Sequence, residues 1–173
     1  YKKQKMTHFT LKNTKFAPFL VIFALFCTIF AIFSNTACSK SSACDLTAKY
    51  TKDANAVQKA AMIAFCVTNN ISYTEDPSGI LYQIIKPGSS TKVNLCETLS
   101  ITYTGKFLNG TQFQTRTFDS ALSGLITGWQ IVVPYIGKGG HMKILLPSSL
   151  AYGTQGNGSI PPNTPLYFDI VLN

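Results

Sequence analysis

Apolar residues recur at helical spacing over residues 53–69, where Ala54, Val57, Ala61, Ala64 and Phe65 predict one inward stripe. Asp53 is placed to cap the start of this helix, and Asn69 with Asn70 its end. Beyond it the period changes from helical to two. After the turn Asp76-Pro77-Ser78-Gly79, residues 80–86 read as a strand stopped by Pro87-Gly88. Leu99, Ile101 and Tyr103 alternate with Ser100, Thr102 and Thr104, and Asn109-Gly110 predicts a hairpin between short strands at 106–108 and 111–113. Met142, Ile144 and Leu146 alternate up to Pro147, and Leu166, Phe168, Ile170 and Leu172 form the inward face of a last strand. Between these lies a short apolar helix around residues 128–133, followed by Pro134, which has no N–H for the helical ladder. About five or six strands joined by turns imply an antiparallel sheet, and with the two helices an α+β fold.

The N-terminal segment follows another pattern. Lys2, Lys3, Lys5, Lys12 and Lys15 precede an uncharged, mostly apolar run from Phe16 to Phe33 and then small residues, which is the layout of an export signal. Ser34-Asn35-Thr36-Ala37-Cys38 resembles the bacterial lipobox, with Asn35 where that motif usually has Leu, so Cys38 is the expected lipidation site. The alternative is an uncleaved anchor, because the apolar run is at the lower limit for crossing a hydrocarbon core of about 30 Å. In both cases the lysines stay inside and the remainder goes out. Residues 1–37 are therefore read as a signal peptide or anchor, 38–52 as a small polar tether and 53–92 as a helix and strand extension. The formal charge of +8 is concentrated in the leading lysines; from Cys38 onward, ten basic and seven acidic residues leave +3, and no nucleic-acid partner is expected. In an oxidising compartment Cys44, Cys66 and Cys96 permit one bridge with one leftover thiol, or three free thiols. Their spacing, with His8 and His141, makes no metal site.

Catalytic signatures are scarce. Ser148-Ser149 lacks nucleophile-elbow spacing, Gly137-Lys138-Gly139-Gly140 lacks phosphate-loop spacing, and neither paired carboxylates nor a cofactor motif is visible. The aromatic residues Tyr103, Phe113, Phe118, Trp129, Tyr152 and Phe168 stand out, although on spacing alone an ordinary core explains them. Their context adds more. ITYTGKFLNGTQF, LITGW, LPSSLAYG and SIPPNTPLYFDIVL, in this order from about Val93 to the end, resemble the successive signatures of the FKBP-type, macrolide-binding peptidyl-prolyl cis/trans isomerases.

That resemblance implies an isomerase domain over residues 93–173, a twisted antiparallel sheet half-wrapped around a short helix with a pocket between them. It implies catalytic roles for Tyr103 and Phe113 as pocket walls, Trp129 as floor, Tyr152 and Phe168 as the rest of the cup, and Ile126 through its backbone N–H. Leu125 is implied as rim, Phe118 as a substrate contact and Ile160 as an overhang. Glycines let the loop at 153–158 fold back across the mouth, and Pro161-Pro162 brace its return. Gln114 stands where the family commonly has an Asp bonded to the pocket tyrosine. Either Gln114 replaces it as a neutral partner, or Asp119 reaches in from a displaced loop. Pro134 also departs from the family pattern and is placed to disturb the packing beneath Trp129. The implied partners are proline-containing polypeptides, a macrolide whose affinity Gln114 would alter, and a membrane; the implied place is the bacterial cell envelope, facing the periplasm. A non-catalytic proline-peptide-binding or chaperone module is the alternative function. A further reading has the helix at 53–69 pairing with a partner in a structural lipoprotein.

Overall fold

The computed structural model describes residues 55–173. The expected signal or anchor, the tether, and Cys38 and Cys44 lie outside the described residues. The elements are α1 (Ala56–Thr68), β1 (Thr74–Glu75), β2 (Leu81–Lys86), β3 (Thr98–Phe107), β4 (Gln112–Ala121), α2 (Thr127–Val132), β5 (His141–Leu146) and β6 (Leu166–Leu172). All six strands join one antiparallel sheet in the order β1-β2-β5-β6-β3-β4. Because β2 pairs with β5, beginning at Leu81 opposite Leu145, the sheet takes strands from both sides of residue 93. Among the described residues no helix is long and apolar enough to cross a membrane.

The two-residue period of the strands sends neighbours in sequence into different cores. On the inner face Ile101, Tyr103, Ile144, Leu166, Phe168 and Ile170 meet Trp129, Ile131 and Val132 of α2. On the outer face Leu81, Leu145 and Tyr167 are covered by Met62, Phe65 and Cys66 of α1 and by Ile71. Each fully buried side chain of this size contributes about 1.5–3 kcal/mol relative to exposure.

The helix α1 forms with a different inward face from the one predicted. Its buried residues are Gln58, Met62, Phe65 and Cys66, whereas Val57 is 79% exposed and Ala61 and Ala64 face solvent. The longer Met and Phe side chains reach the outer-face leucines where alanines leave a gap, and Gln58 enters because its amide finds partners. Asn55 caps the start, its Oδ1 accepting from Gln58 N–H at 3.0 Å, while Asp53 and Ala54 lie outside the described residues. At the other end Asn69 donates to Phe65 O from its backbone N–H at 3.0 Å and from Nδ2 at 2.8 Å.

The hairpin also differs. Its loop spans residues 108–111, with Asn109 Oδ1 accepting from Thr111 N–H at 2.9 Å, and β4 continues to Ala121 instead of breaking after residue 113. Pro134 does not disturb the Trp129 packing: α2 ends before it, Val133 N–H donates to Trp129 O, and Pro134 sits in the 3-10 turn Val133–Tyr135. Of the cysteines, Cys66 is a free buried thiol and Cys96 is disulfide-bonded, so the bridge leaves Cys66 out. Burial pushes the Cys66 thiol up to about 11, which keeps it protonated and unreactive.

Candidate functional site

A cavity of about 220 Å³ opens between the inner face of the sheet and α2, lined by Tyr103, Phe118, Gly124, Leu125, Ile126, Trp129, Tyr152 and Phe168. The strands supply three of these by alternation. Tyr103 follows Leu99 and Ile101 on the inner face of β3, Phe118 pairs with Ile101 from β4, and Phe168 pairs with Gly105 from β6. Trp129 comes up from the first turn of α2 and is 4% exposed, which makes it the floor.

The rings meet edge to face. Tyr103 and Trp129 have centroids 5.2 Å apart at 84°, Trp129 and Phe168 5.3 Å at 87°, and Tyr103 and Phe118 5.8 Å at 79°. Such contacts direct the positive edge of one ring at the negative face of the next, and each adds about 0.5–1.5 kcal/mol beyond area burial. They therefore fix ring orientations as well as filling space. Arg116 lies over the outer ring, with Cζ 5.4 Å from the Phe118 centroid.

Phe113 reaches this cluster through a bulge. Gly105 pairs with Gln114 but Lys106 pairs with Gln112, leaving Phe113 as the extra residue. Its ring occupies the space beside Gly105, where an added Cβ would lie 2.4 Å from Phe113 Cζ. There it meets Phe168 at 5.8 Å and 88°, behind the cavity lining and not on it.

Of the two candidates for the tyrosine's partner, Gln114 holds the position: Tyr103 OH donates to Gln114 Oε1. Asp119 does not reach in. It pairs with Ser100 near the end of the hairpin away from its turn, on the face opposite Tyr103, because β4 is a continuous strand there and one register step reverses a side chain. Burial raises the Tyr103 pKa, the nearby Tyr152 phenol adds to this, and Arg116 opposes it. The phenol thus remains a neutral donor at physiological pH.

The rim is held from below by a residue with no role in the sequence reading. Gln130 Nε2 donates to Leu125 O at 2.7 Å and so ties α2 to the segment carrying Leu125 and Ile126. One polar side chain in the apolar run WQIVV was its only signal. Ile126 stands at the N-terminal end of α2, and its N–H donates to no group among the described residues. Trp129 Nε1 is buried and likewise without a hydrogen-bond partner among the described residues.

Tyr152 closes the cup from the β5–β6 connection. Beyond it the glycine loop is a compact turn: Asn157 and Ile160 exchange two backbone bonds of 2.9 Å, and Gly153, Gly156 and Gly158 have φ of 59°, 67° and 55°. Ile160 is not an overhang. That closed turn directs it inward, where it is 7% exposed and part of the inner core instead of the cavity lining.

The cavity is thus lined mainly by apolar and aromatic residues, two of which, Tyr103 and Tyr152, carry phenol hydroxyls. Among the described residues no carboxylate, imidazole, thiol or aliphatic hydroxyl lines it. It can enclose a small apolar ring and direct a few donors at a carbonyl beside it.

Comparison with known proteins agrees with this geometry. A family model described as FKBP-type peptidyl-prolyl cis-trans isomerase matches residues 89–173. The FKBP-type peptidyl-prolyl cis-trans isomerase FkpA of Escherichia coli K12 is 33% identical over 100 residues, covering 55% of this chain and 37% of that protein. FkpA of Aeromonas hydrophila is 36% identical over 135 residues, covering 72% of this chain and 49% of that protein. The chain therefore spans less than half the length of these relatives. Among solved structures, E. coli FkpA superposes with a TM-score of 0.60 at 28% identity, covering 68% of this chain and 58% of that one. A peptidyl-prolyl cis-trans isomerase of Pseudomonas syringae pv. tomato gives 0.57 at 27% identity, covering 70% of this chain and 96% of that one.

Proposed function

Because residues 89–173 place this chain in the FKBP-type peptidyl-prolyl cis-trans isomerase family, we propose that it accelerates rotation about X–Pro peptide bonds without covalent chemistry. The observation that carries this reading is the aromatic cavity itself, with Trp129 as a buried floor and no carboxylate, imidazole or thiol on its walls among the described residues. Amide rotation faces a barrier of about 18–20 kcal/mol because the planar form is resonance-stabilised. An X–Pro bond left alone takes tens to hundreds of seconds.

In the twisted transition state the amide loses resonance and part of its dipole. An apolar cup that excludes water disfavours the polar planar amide more than the twisted one, and this difference between the two states lowers the barrier. Tyr103, Trp129 and Phe168 enclose the pyrrolidine ring, with Phe113 bracing Phe168 from behind. Tyr152 and Phe118 flank the ring, and the Ile126 N–H, beside Leu125, receives the substrate carbonyl. Gln114 accepts from Tyr103 and so fixes its phenol. A thousandfold acceleration requires only about 4 kcal/mol of such discrimination.

The substrates in this reading are proline-containing polypeptides outside the cytoplasm. The lysine-led apolar run and Cys38 support export to a bacterial envelope, with attachment to a membrane by lipid or by the apolar segment itself. A macrolide would occupy the same cup, with an affinity set in part by Gln114 in place of a carboxylate. The decisive experiment measures isomerisation of a proline peptide by the full chain and by its Trp129→Leu variant. Acceleration that falls at least about tenfold in the variant, a barrier rise of about 1.4 kcal/mol, supports the reading. Binding of the peptide with no enhanced exchange would instead favour a proline-binding module.

A further inference from the structure

Gln58 lies on the first turn of α1, outside residues 89–173, and is only 8% exposed. A buried amide is costly unless its donors and acceptor are satisfied, and its partners lie far along the chain. Its Nε2 donates to Ser148 Oγ at 2.9 Å and to Asn163 O at 3.0 Å, while its Oε1 accepts from Ser148 N–H at 2.8 Å. The bonds continue into a closed ring. Gly153 N–H donates to Ser148 O and Asn163 N–H to Gly153 O, both at 2.8 Å. Asn163 carries a φ of 56°, a left-handed conformation that Asn adopts more readily than most residues.

The ring ties together both ends of the segment 148–163, which carries Tyr152 on the cavity wall and Ile160 in the inner core. Bonds inside the segment give it its own shape, but they do not attach that shape to an element elsewhere in the fold. Leu150 and Ile160 hold it to the inner core by packing, and Gln58 adds directional side-chain bonds to α1, whose first turn the Asn55 cap fixes.

We infer that Gln58 is a positioning residue for the isomerase pocket: from the N-terminal helix it locks the 148–163 segment and so holds Tyr152 against the substrate. This rests on the isomerase reading. Small displacements of a binding group some distance from the reacting bond are sufficient to slow a reaction markedly.

The test compares three variants of the full chain. Gln58→Met keeps the shape of the side chain and removes all three bonds. Gln58→Glu keeps the acceptor for Ser148 N–H but, when ionised, cannot donate to Asn163 O. Met62→Ala loosens α1 on the outer face without touching the ring. In Gln58→Met, kcat/KM is expected to fall roughly tenfold, with faster hydrogen exchange at the Gly153 and Asn163 amides. Met62→Ala should leave kcat/KM within about twofold while lowering global stability. Gln58→Glu should recover part of the loss as the pH is lowered and its carboxyl regains a proton, a dependence absent from the wild type. Equal losses of kcat/KM in Gln58→Met and Met62→Ala, or unchanged amide exchange in Gln58→Met, would overturn the inference. A wild-type chain that accelerates nothing defeats the isomerase reading alone. Amide exchange then still decides whether Gln58 locks the segment.

Discussion

For a single polar side chain, burial is tolerable only when its partners are in place, and Asp76 illustrates the consequence for stability. It is 3% exposed, and burial by itself would raise its pKa. Donation from the Ser78 hydroxyl, the Tyr135 hydroxyl at 2.6 Å and Ser78 N–H at 2.8 Å outweighs that and holds the carboxyl below its usual value of 3.8. A depressed folded pKa means that the ionised form stabilises the fold above the unfolded value, and this contribution disappears as pH falls through the folded one. Asp76→Asn is therefore expected to cost about 1–3 kcal/mol at neutral pH. The difference from wild type should shrink below about pH 4, as urea midpoints at several pH values would reveal. In sequence Asp76 was legible as a turn residue. Its bond to Tyr135 was not, because that residue is far along the chain. The choice between Gln114 and Asp119 was equally open: both are polar and close in sequence, and only the strand register puts one toward Tyr103 and the other away.

Among the elements, strands were easier to read than connections. Alternation located β3, β5 and β6 because each buries one face against a continuous core, which enforces the period residue by residue. The length of β4 was obscured by a run of polar residues from Gln114 to Thr117, which face solvent or the cavity edge. The inward face of α1 was rotated in the reading because alanines count as apolar yet gain little from burial. The glycine loop carried a correct turn signal and a wrong direction for Ile160. At Gly156 φ is 67° and an added Cβ would lie 2.4 Å from Ile160 O. Gly156→Ala is accordingly expected to cost about 1–3 kcal/mol in backbone strain, lowering the melting temperature. It should weaken binding of a proline peptide in a titration, because opening this turn loosens the segment that presents Tyr152.

Across the described residues as a whole, one sheet separates two cores, and their roles differ. The inner core surrounds the cavity, whereas the outer core joins α1 to β2, β5 and β6 and contains no group that lines it. Met62 is 1% exposed at the centre of the outer core. Met62→Ala is expected to destabilise the fold by about 2–5 kcal/mol, measurable by urea unfolding. Because two-state unfolding links both faces of a shared sheet, this loss should appear equally in the fluorescence of Trp129 and in far-ultraviolet dichroism. Non-coincident transitions would indicate that α1 undocks separately.

The sequence by itself determined the α+β class, the positions of the main strands and the short helix under the sheet, whereas only the family resemblance of its motifs set the aromatics apart from an ordinary core. Each of these follows from local periodicity or from a short motif. Only the tertiary structure decided the register that selects Gln114, the bulge that sends Phe113 behind Phe168, the inward turn of Ile160 and the ring closed by Gln58. These depend on contacts between segments distant in the chain, where the geometry of the partner, and not the residue's own propensity, sets the free energy.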